Sequence, residues 1–143
     1  MGSSQLFVGI SLVIAALTPV ESAVSQEQME KIAKSMRNAC LQKIDTTEEL
    51  VAGIKRGEFP DDPNLECYTH CIMKTMRSFK NNEIDFKMVM KQIDASMPPD
   101  MAPRVKAAVR LCKNREYDTE PCKMTYQYTK CVYEADPEVF FFP

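Results

Sequence analysis

The chain has 143 residues, and 18 Lys and Arg against 20 Asp and Glu give it a formal net charge of −2 at pH 7. This near-neutral balance, with no cluster of basic residues, argues against nucleic acid or an anionic membrane surface as the main partner. The sequence has one histidine and four glycines, without a Gly-x-Ser-x-Gly elbow or a phosphate-binding glycine loop. We therefore expect neither an enzyme nor a cofactor.

An apolar run extends from Leu6 to Leu17, and its 12 residues are too few to span a bilayer, which takes about 20. The run fits the apolar part of a secretory signal peptide, with cleavage expected after Ser22 or Ala23. We therefore divide the chain into a signal peptide, residues 1–22, and a single secreted domain, residues 23–143.

Two capping boxes predict the first two helices. Ser25 with Gln28 starts the first helix, whose inward face carries Met29, Ile32, Ala33, Met36 and Cys40. Thr46 with Glu49 starts a second, shorter helix, which Gly57 is expected to end. Its apolar residues are Leu50, Val51 and Ile54.

Aspartates precede the third and fourth predicted helices. Asp62 caps the third, with Pro63 in the first helical position, and its inner face is Tyr68, Ile72, Met76 and Phe79. The fourth starts near Asp85 and ends before Pro98 and Pro99. Its apolar face is Phe86, Val89, Met90, Ile93 and Met97.

Two more helices complete the expected fold. The fifth follows Asp100 or Ala102, with Pro103 in its first turn and Val105, Ala108, Val109 and Cys112 facing inward. Thr119 is expected to cap the sixth, whose inward set is Cys122, Thr125, Tyr128, Cys131, Val132 and Ala135. No stretch alternates at period two for long enough to predict a strand, so the sequence predicts an all-α fold of about six short helices.

Six cysteines predict a disulfide framework in an oxidising, extracellular compartment. On one helix, Cys67 and Cys71 hold their Cβ atoms about 5–6 Å apart, beyond the reach of a disulfide, and Cys122 and Cys131 lie about 13 Å apart along the axis. Excluding these two pairs leaves 10 of about 15 pairings open.

Cys67 and Cys71 are the one closely spaced pair of cysteines. Because disulfide bridges are expected to use both, we expect no metal site. His70 is expected to be a partly exposed helix residue, with a pH sensor as the alternative.

The pattern C-x26-C-x3-C-x40-C-x9-C-x8-C, the run from Leu65 to Cys71 and the tail from Cys131 to Pro143 resemble the insect odorant-binding proteins of the six-cysteine pheromone and general odorant-binding type. The resemblance covers essentially the whole mature chain. It implies three interlocked bridges, Cys40–Cys71, Cys67–Cys122 and Cys112–Cys131, around an apolar cavity.

The resemblance also implies a secreted carrier that moves odorant or pheromone-like molecules through aqueous sensillar lymph to membrane receptors. Its expected partner is a small hydrophobic ligand such as an alcohol, aldehyde, ester or fatty-acid-like molecule. An olfactory receptor complex and a homodimer are further candidate partners, whereas nucleic acid and stable membrane insertion are not expected.

Methionine is abundant, with 10 in the chain, and its flexible, polarisable side chain suits an adaptable apolar pocket. Tyr128 is expected to offer a hydroxyl to a ligand oxygen, and Tyr126 is the second candidate for this role. The predicted ligand-binding residues are Met29, Ile32, Ala33, Met36, Met73, Met76, Met90, Ile93, Met97, Val105, Ala108, Val109, Tyr128, Val132, Phe140 and Phe141.

The end of the chain, Val139 to Pro143, is too apolar for a solvated terminus. We expect the tail, residues 132–143, to fold over the cavity. Glu134, Asp136, Glu138 and the Pro143 carboxylate suggest release in acid, if carboxylates anchor the closed tail. Two alternatives stay open: a carrier of this family working outside olfaction, and a disulfide-stapled inhibitor or effector with a solid core.

Overall fold

The computed structural model describes residues 24–143, so the predicted signal peptide and its cleavage site lie outside the described residues. Within them the chain is helical apart from one two-stranded hairpin, which confirms the all-α prediction of six helices. None of these helices is both long and apolar enough to cross a membrane. In chain order the elements are α1 Gln26–Leu41, α2 Glu48–Ile54, α3 Pro63–Thr75, β1 Phe79–Lys80, β2 Glu83–Ile84, α4 Phe86–Ser96, α5 Ala102–Lys113 and α6 Pro121–Ala135.

Three of the predicted helix starts are confirmed by their hydrogen bonds. Ser25 and Gln28 form a complete capping box at α1. The carboxylate of Asp62 accepts from the amide of Leu65 at 2.9 Å, and Asp85 accepts from Met88 at 3.0 Å. These side chains satisfy amides that have no partner inside the helix.

Two predicted caps were wrong by one residue. Thr47, not Thr46, caps α2, because its hydroxyl accepts from the amide of Leu50 at 3.2 Å, whereas the Thr46 hydroxyl is buried without a partner. Glu120, not Thr119, caps α6. Its two carboxylate oxygens accept from the amides of Cys122 at 3.0 Å and Lys123 at 2.8 Å, and such charge-assisted bonds are stronger than those of a hydroxyl.

Residues 76–84 were predicted partly as helix, but α3 ends at Thr75 and a hairpin follows. Phe79 pairs with Ile84 across the two strands. The turn between them is Asn81-Asn82, with φ of 55° and 59°, and asparagine tolerates this left-handed region better than most residues. Ala135, predicted to face inward on α6, is exposed.

The turn after α2 depends on glycine. Gly57 lies three residues beyond the end of the helix and has a φ of +78°, a conformation that side chains rarely adopt. A Cβ there would lie 2.3 Å from the ring of Tyr133 on α6. Glycine therefore lets this turn pack directly on α6.

The disulfide pairing that the resemblance implied is confirmed. Cys40–Cys71 joins α1 to α3 and Cys112–Cys131 joins α5 to α6, each with Cα atoms 5.9 Å apart. The third bridge, between Cys67 on α3 and Cys122 on α6, holds Cα atoms 4.5 Å apart. Together the bridges connect four of the five helices that surround the interior.

Beside the bridge between α3 and α6, the buried hydroxyls of Thr69 and Thr125 are 3.0 Å apart and hydrogen-bonded. The buried apolar residues form two clusters. The larger includes Cys40, Leu65, Tyr68, Ile72 and Phe142, and the smaller consists of Ile93, Val105, Val109 and Val139. Each cluster thus contains a residue of the C-terminal tail.

Candidate functional site

An apolar cavity of about 160 Å³ lies between α1, α3, α4, α5, α6 and the C-terminal tail. Its walls are Met29, Ile32, Met36, Met73, Met76, Ser78, Val89, Gln92, Ile93, Ser96, Met97, Val105, Val109, Tyr128, Thr129, Val132, Phe140, Phe141, Phe142 and Pro143. Ile32 is also 53% exposed, so it marks a rim where the cavity reaches solvent. The interior is therefore hollow, contrary to the solid core of the interaction-protein alternative.

The structure brings most of the predicted site residues to this cavity, the exceptions being Ala33, Met90 and Ala108. Ala33 and Ala108 are each 3% exposed, so they are buried without lining the cavity. Met90 packs against the smaller apolar cluster instead. Contact of the remaining residues with a ligand stays a prediction.

Sequence reasoning missed several wall residues, namely Ser78, Val89, Gln92, Ser96, Thr129, Phe142 and Pro143. Val89 and Phe142 had a signal, since one lies on the predicted face of α4 and the other in the apolar tail. The polar ones had none, because a Ser, Thr or Gln on a helix is usually solvent-facing.

Most polar wall groups are already bonded to the backbone. The Ser78 hydroxyl donates to the carbonyl of Met73 at 3.1 Å, Thr129 donates to the carbonyl of Thr125 at 2.7 Å, and the amide of Gln92 donates to the carbonyl of Met76. These groups therefore add little polarity to the wall.

Tyr128 is the exception among the polar wall groups. It is 5% exposed, and its ring packs edge-on against Phe86 with centroids 5.6 Å apart. Burial raises the pKa of its phenol above the ordinary value, and the nearby Tyr117 has a smaller effect in the same direction. No hydrogen-bond partner for its hydroxyl is found among residues 24–143, so this group is free for a ligand. Tyr126 is not free, since its hydroxyl donates to the carbonyl of Pro60 at 2.6 Å.

The tail supplies one side of the cavity. The first residues of the predicted segment 132–143 are helical, because α6 continues to Ala135 and the chain leaves the helix at Asp136. Val139 and Phe142 are 5% and 7% exposed, and the rings of Phe140 and Phe142 stack with centroids 6.4 Å apart. Four consecutive tail residues, 140–143, line the cavity.

Polar contacts attach the tail at both ends. Near α6, the guanidinium of Arg104 donates two bonds to Asp136, at 2.9 and 2.7 Å, and one to Glu138 at 2.8 Å. The hydrogen bond to Glu138 raises the pKa of Arg104 most, and the bonds to Asp136 raise it further. At the far end, the buried Tyr68 hydroxyl donates to the main-chain oxygen of Pro143 at 2.9 Å.

His70 lies outside the cavity wall. Its ring meets Phe79 edge-on with centroids 4.6 Å apart, and partial burial, together with the charge of Lys74, lowers its pKa. Residues 24–143 contain no group of three His, Cys, Asp or Glu side chains placed to hold a metal ion.

The size of the cavity limits what it accepts in this conformation. Its roughly 160 Å³ is close to the engineered apolar cavity of about 150 Å³ that binds benzene, and below the about 300–1,000 Å³ of common ligand pockets. A larger guest must displace methionine side chains or the tail. Methionine is suited to this, because its unbranched chain repacks at low cost.

Comparison with known proteins adds independent information. Residues 22–135 match the model of the PBP/GOBP family. General odorant-binding protein 72 of Anopheles gambiae is 29% identical over 122 residues, which cover 85% of this chain and 100% of that protein.

Two solved structures share the fold. Odorant binding protein 5 of Apis mellifera is 54% identical, with a TM-score of 0.82 over 85% of this chain and 99% of that one. Odorant binding protein 4 of Chrysopa pallens is 31% identical, with a TM-score of 0.77 over 84% of this chain and 99% of its own.

Proposed function

The chain belongs to the PBP/GOBP family, and from this membership and its cavity we propose that it is a secreted carrier of small hydrophobic molecules. The observation that supports this best is an apolar cavity, lined by five helices and the tail, in a core that three disulfides hold open. Native bridges contribute about 2–5 kcal/mol each in small secreted domains, enough to offset contacts that a hollow core lacks.

Burial of ligand hydrocarbon supplies most of the binding free energy in this proposal, at about 25 cal/mol per Å² of apolar surface. The free hydroxyl of Tyr128 then orients an alcohol, aldehyde or ester oxygen. A hydrogen bond inside a dry cavity adds specificity, because a ligand without a partner for that hydroxyl leaves it unsatisfied.

Membership of the family supports a proposal for the biological setting. A carrier with this cavity would keep apolar odorants or pheromones dispersed in sensillar lymph and bring them to membrane receptors. The same chemistry would serve in another secretion, so the ligand and the tissue, rather than the fold, distinguish olfaction from other roles of the family.

The test of binding is displacement of an apolar fluorescent probe by alcohols and esters of increasing chain length. Val109 on α5 is 2% exposed and faces the cavity, whereas Leu111 on the same helix is 67% exposed. Val109→Phe should reduce probe binding by filling the cavity, and Leu111→Phe is the matched control that should leave it unchanged. Absence of probe uptake by the oxidised wild type would contradict the carrier function.

Release in acid is part of the proposal. The ion pairs of Arg104 with Asp136 and Glu138 join α5 to the start of the tail, and we propose that acid weakens this attachment. Ligand affinity should be lower at pH 5 than at pH 7, and Arg104→Gln should reduce that difference. Equal affinity at both pH values would exclude acid release, and deleting Val139–Pro143 without loss of affinity would exclude a closing tail.

A further inference from the structure

Methionine side chains converge on the cavity from α1 and from the ends of α3 and α4. Of the nine methionines in residues 24–143, five line the cavity: Met29, Met36, Met73, Met76 and Met97. Met29 and Met73 are buried, whereas the other three are half-buried. The four outside the wall are Met88, Met90, Met101 and Met124. A chemical change at methionine sulfur would therefore alter the cavity wall at several positions at once.

The rim of the cavity lies among these methionines. Ile32 lines the cavity and is 53% exposed, which marks the place where the cavity reaches solvent. On α1, Met29 precedes Ile32 by three residues and Met36 follows it by four, and residues at these spacings are neighbours on one helix face. Hydrogen peroxide is little larger than water, so it can pass this rim into a cavity of about 160 Å³ and reach the sulfur atoms of the wall.

Hydrogen peroxide and a thioether react without a further reagent. A lone pair of the sulfur attacks one peroxide oxygen, so that an S–O bond forms and the O–O bond breaks, and after a proton transfer water leaves. The sulfur is oxidised and the peroxide is reduced. The product, methionine sulfoxide, replaces a flexible apolar side chain by a polar one.

The wall offers a sulfoxide oxygen few hydrogen-bond donors. The Ser78 hydroxyl already donates to the carbonyl of Met73 at 3.1 Å. The Thr129 hydroxyl likewise donates to the carbonyl of Thr125 at 2.7 Å. The Tyr128 hydroxyl is free, but it is the group proposed to orient a ligand oxygen. A polar oxygen in this apolar cavity therefore stays unsatisfied, holds water there or occupies that hydroxyl, and each outcome disfavours an apolar guest.

We propose that the half-buried wall methionines, Met36, Met76 and Met97, are a modification site at which hydrogen peroxide forms sulfoxides and thereby weakens the binding of apolar ligands. Met36 is the first target, because it neighbours the exposed Ile32 on α1. This inference rests on the proposed carrier function and adds an oxidant-sensitive control of its binding site.

The test compares the affinity for an apolar fluorescent probe before and after peroxide treatment of the disulfide-bonded protein, with mass spectrometry to locate the sulfoxides. Leucine is the replacement, because it keeps an apolar side chain of similar size and has no sulfur. The wall variant carries Met36→Leu, Met76→Leu and Met97→Leu. The matched variant carries the same change at three half-buried methionines outside the wall, Met88, Met101 and Met124.

Peroxide should weaken probe binding by about tenfold in wild type and in the matched variant, and by less than about twofold in the wall variant. Each protein is compared with its own untreated form, so any effect of leucine on binding itself does not enter the result. Met36→Leu alone should reduce the loss seen in wild type, and it serves if the wall variant does not fold.

Four results would overturn the proposal without touching the carrier function. An equal loss in wild type and in the wall variant would place the effect at other residues. Sulfoxides at the three wall positions with unchanged affinity would show that the cavity tolerates them, and sulfoxides confined to methionines outside the wall would exclude the site. Loss of helical circular dichroism together with probe binding would indicate general unfolding. Absence of probe binding by the untreated wild type would refute the carrier function as well.

Discussion

Two buried tyrosines permit a paired test of the tail contact. Tyr68 is 0% exposed and Tyr128 is 5% exposed, and phenylalanine in either position keeps the ring and removes only the hydroxyl. The Tyr68 hydroxyl donates to the main-chain oxygen of Pro143 at 2.9 Å, whereas no protein partner is found for that of Tyr128 within residues 24–143. The same chemical change should therefore have different consequences for stability.

The magnitudes follow from the environment of each hydroxyl. Tyr68→Phe loses a hydrogen bond and leaves the Pro143 main-chain oxygen without that donor, so the free energy of unfolding should fall by about 1–2 kcal/mol. In a domain of about 120 residues this corresponds to roughly 4 °C in Tm per kcal/mol. Tyr128→Phe should leave the free energy of unfolding nearly unchanged, because it removes a hydroxyl for which no hydrogen bond is found within residues 24–143.

Urea unfolding followed by far-UV circular dichroism, with the disulfides intact, measures both variants against wild type. The midpoint should change for Tyr68→Phe while the slope stays constant. In the same proteins, probe displacement should show weaker alcohol binding by Tyr128→Phe alone. Equal stability losses in the two variants would refute the assignment of one hydroxyl to the tail and the other to the cavity.

Three further outcomes are expected. Because the pKa of His70 is lowered in the folded state, the unfolded chain binds more protons below about pH 6.5; stability should fall from pH 7 to pH 5, and His70→Gln should reduce that fall in urea titrations. Replacing both cysteines of the bridge between α3 and α6, which spans 55 residues, by alanine should lower the free energy of unfolding by about 1 kcal/mol more than the same change in the 19-residue bridge between α5 and α6. The reason is that the entropy of closing a loop grows with the logarithm of its length. An equal loss of stability would count against this chain-entropy estimate. Arg104→Gln should increase amide exchange at the start of the tail, near Asp136, and leave exchange in α3 unchanged; faster exchange in both would show general destabilisation instead.

Much of the helical framework could be predicted from local signals. A capping side chain and an apolar face of period 3.6 are both short-range features, so Ser25, Asp62 and Asp85 identified their helices. The wrong cap at Thr46 has a local cause, since Glu49 lies three residues after Thr46 and completes the capping-box pattern, whereas Thr47 has Leu50 in that position and caps the helix without a box. The hairpin was missed because two-residue strands show no alternation.

The residues that line the cavity were harder to predict than the helices, and the reason is physical. A residue that faces a solid core and one that faces a cavity share the same helical face, so periodicity found Met36 and Val109 but also Ala33. Polar cavity residues such as Gln92 gave no sequence signal, since their burial depends on neighbours distant in sequence.

The most direct test of the central claim is a crystal structure of the oxidised protein pressurised with xenon, which enters dry apolar cavities. The account predicts xenon density between Met73, Val109 and Tyr128, with the helices unmoved and the tail in place. Density at the protein surface alone, with these side chains in mutual contact, would contradict the existence of a ligand cavity.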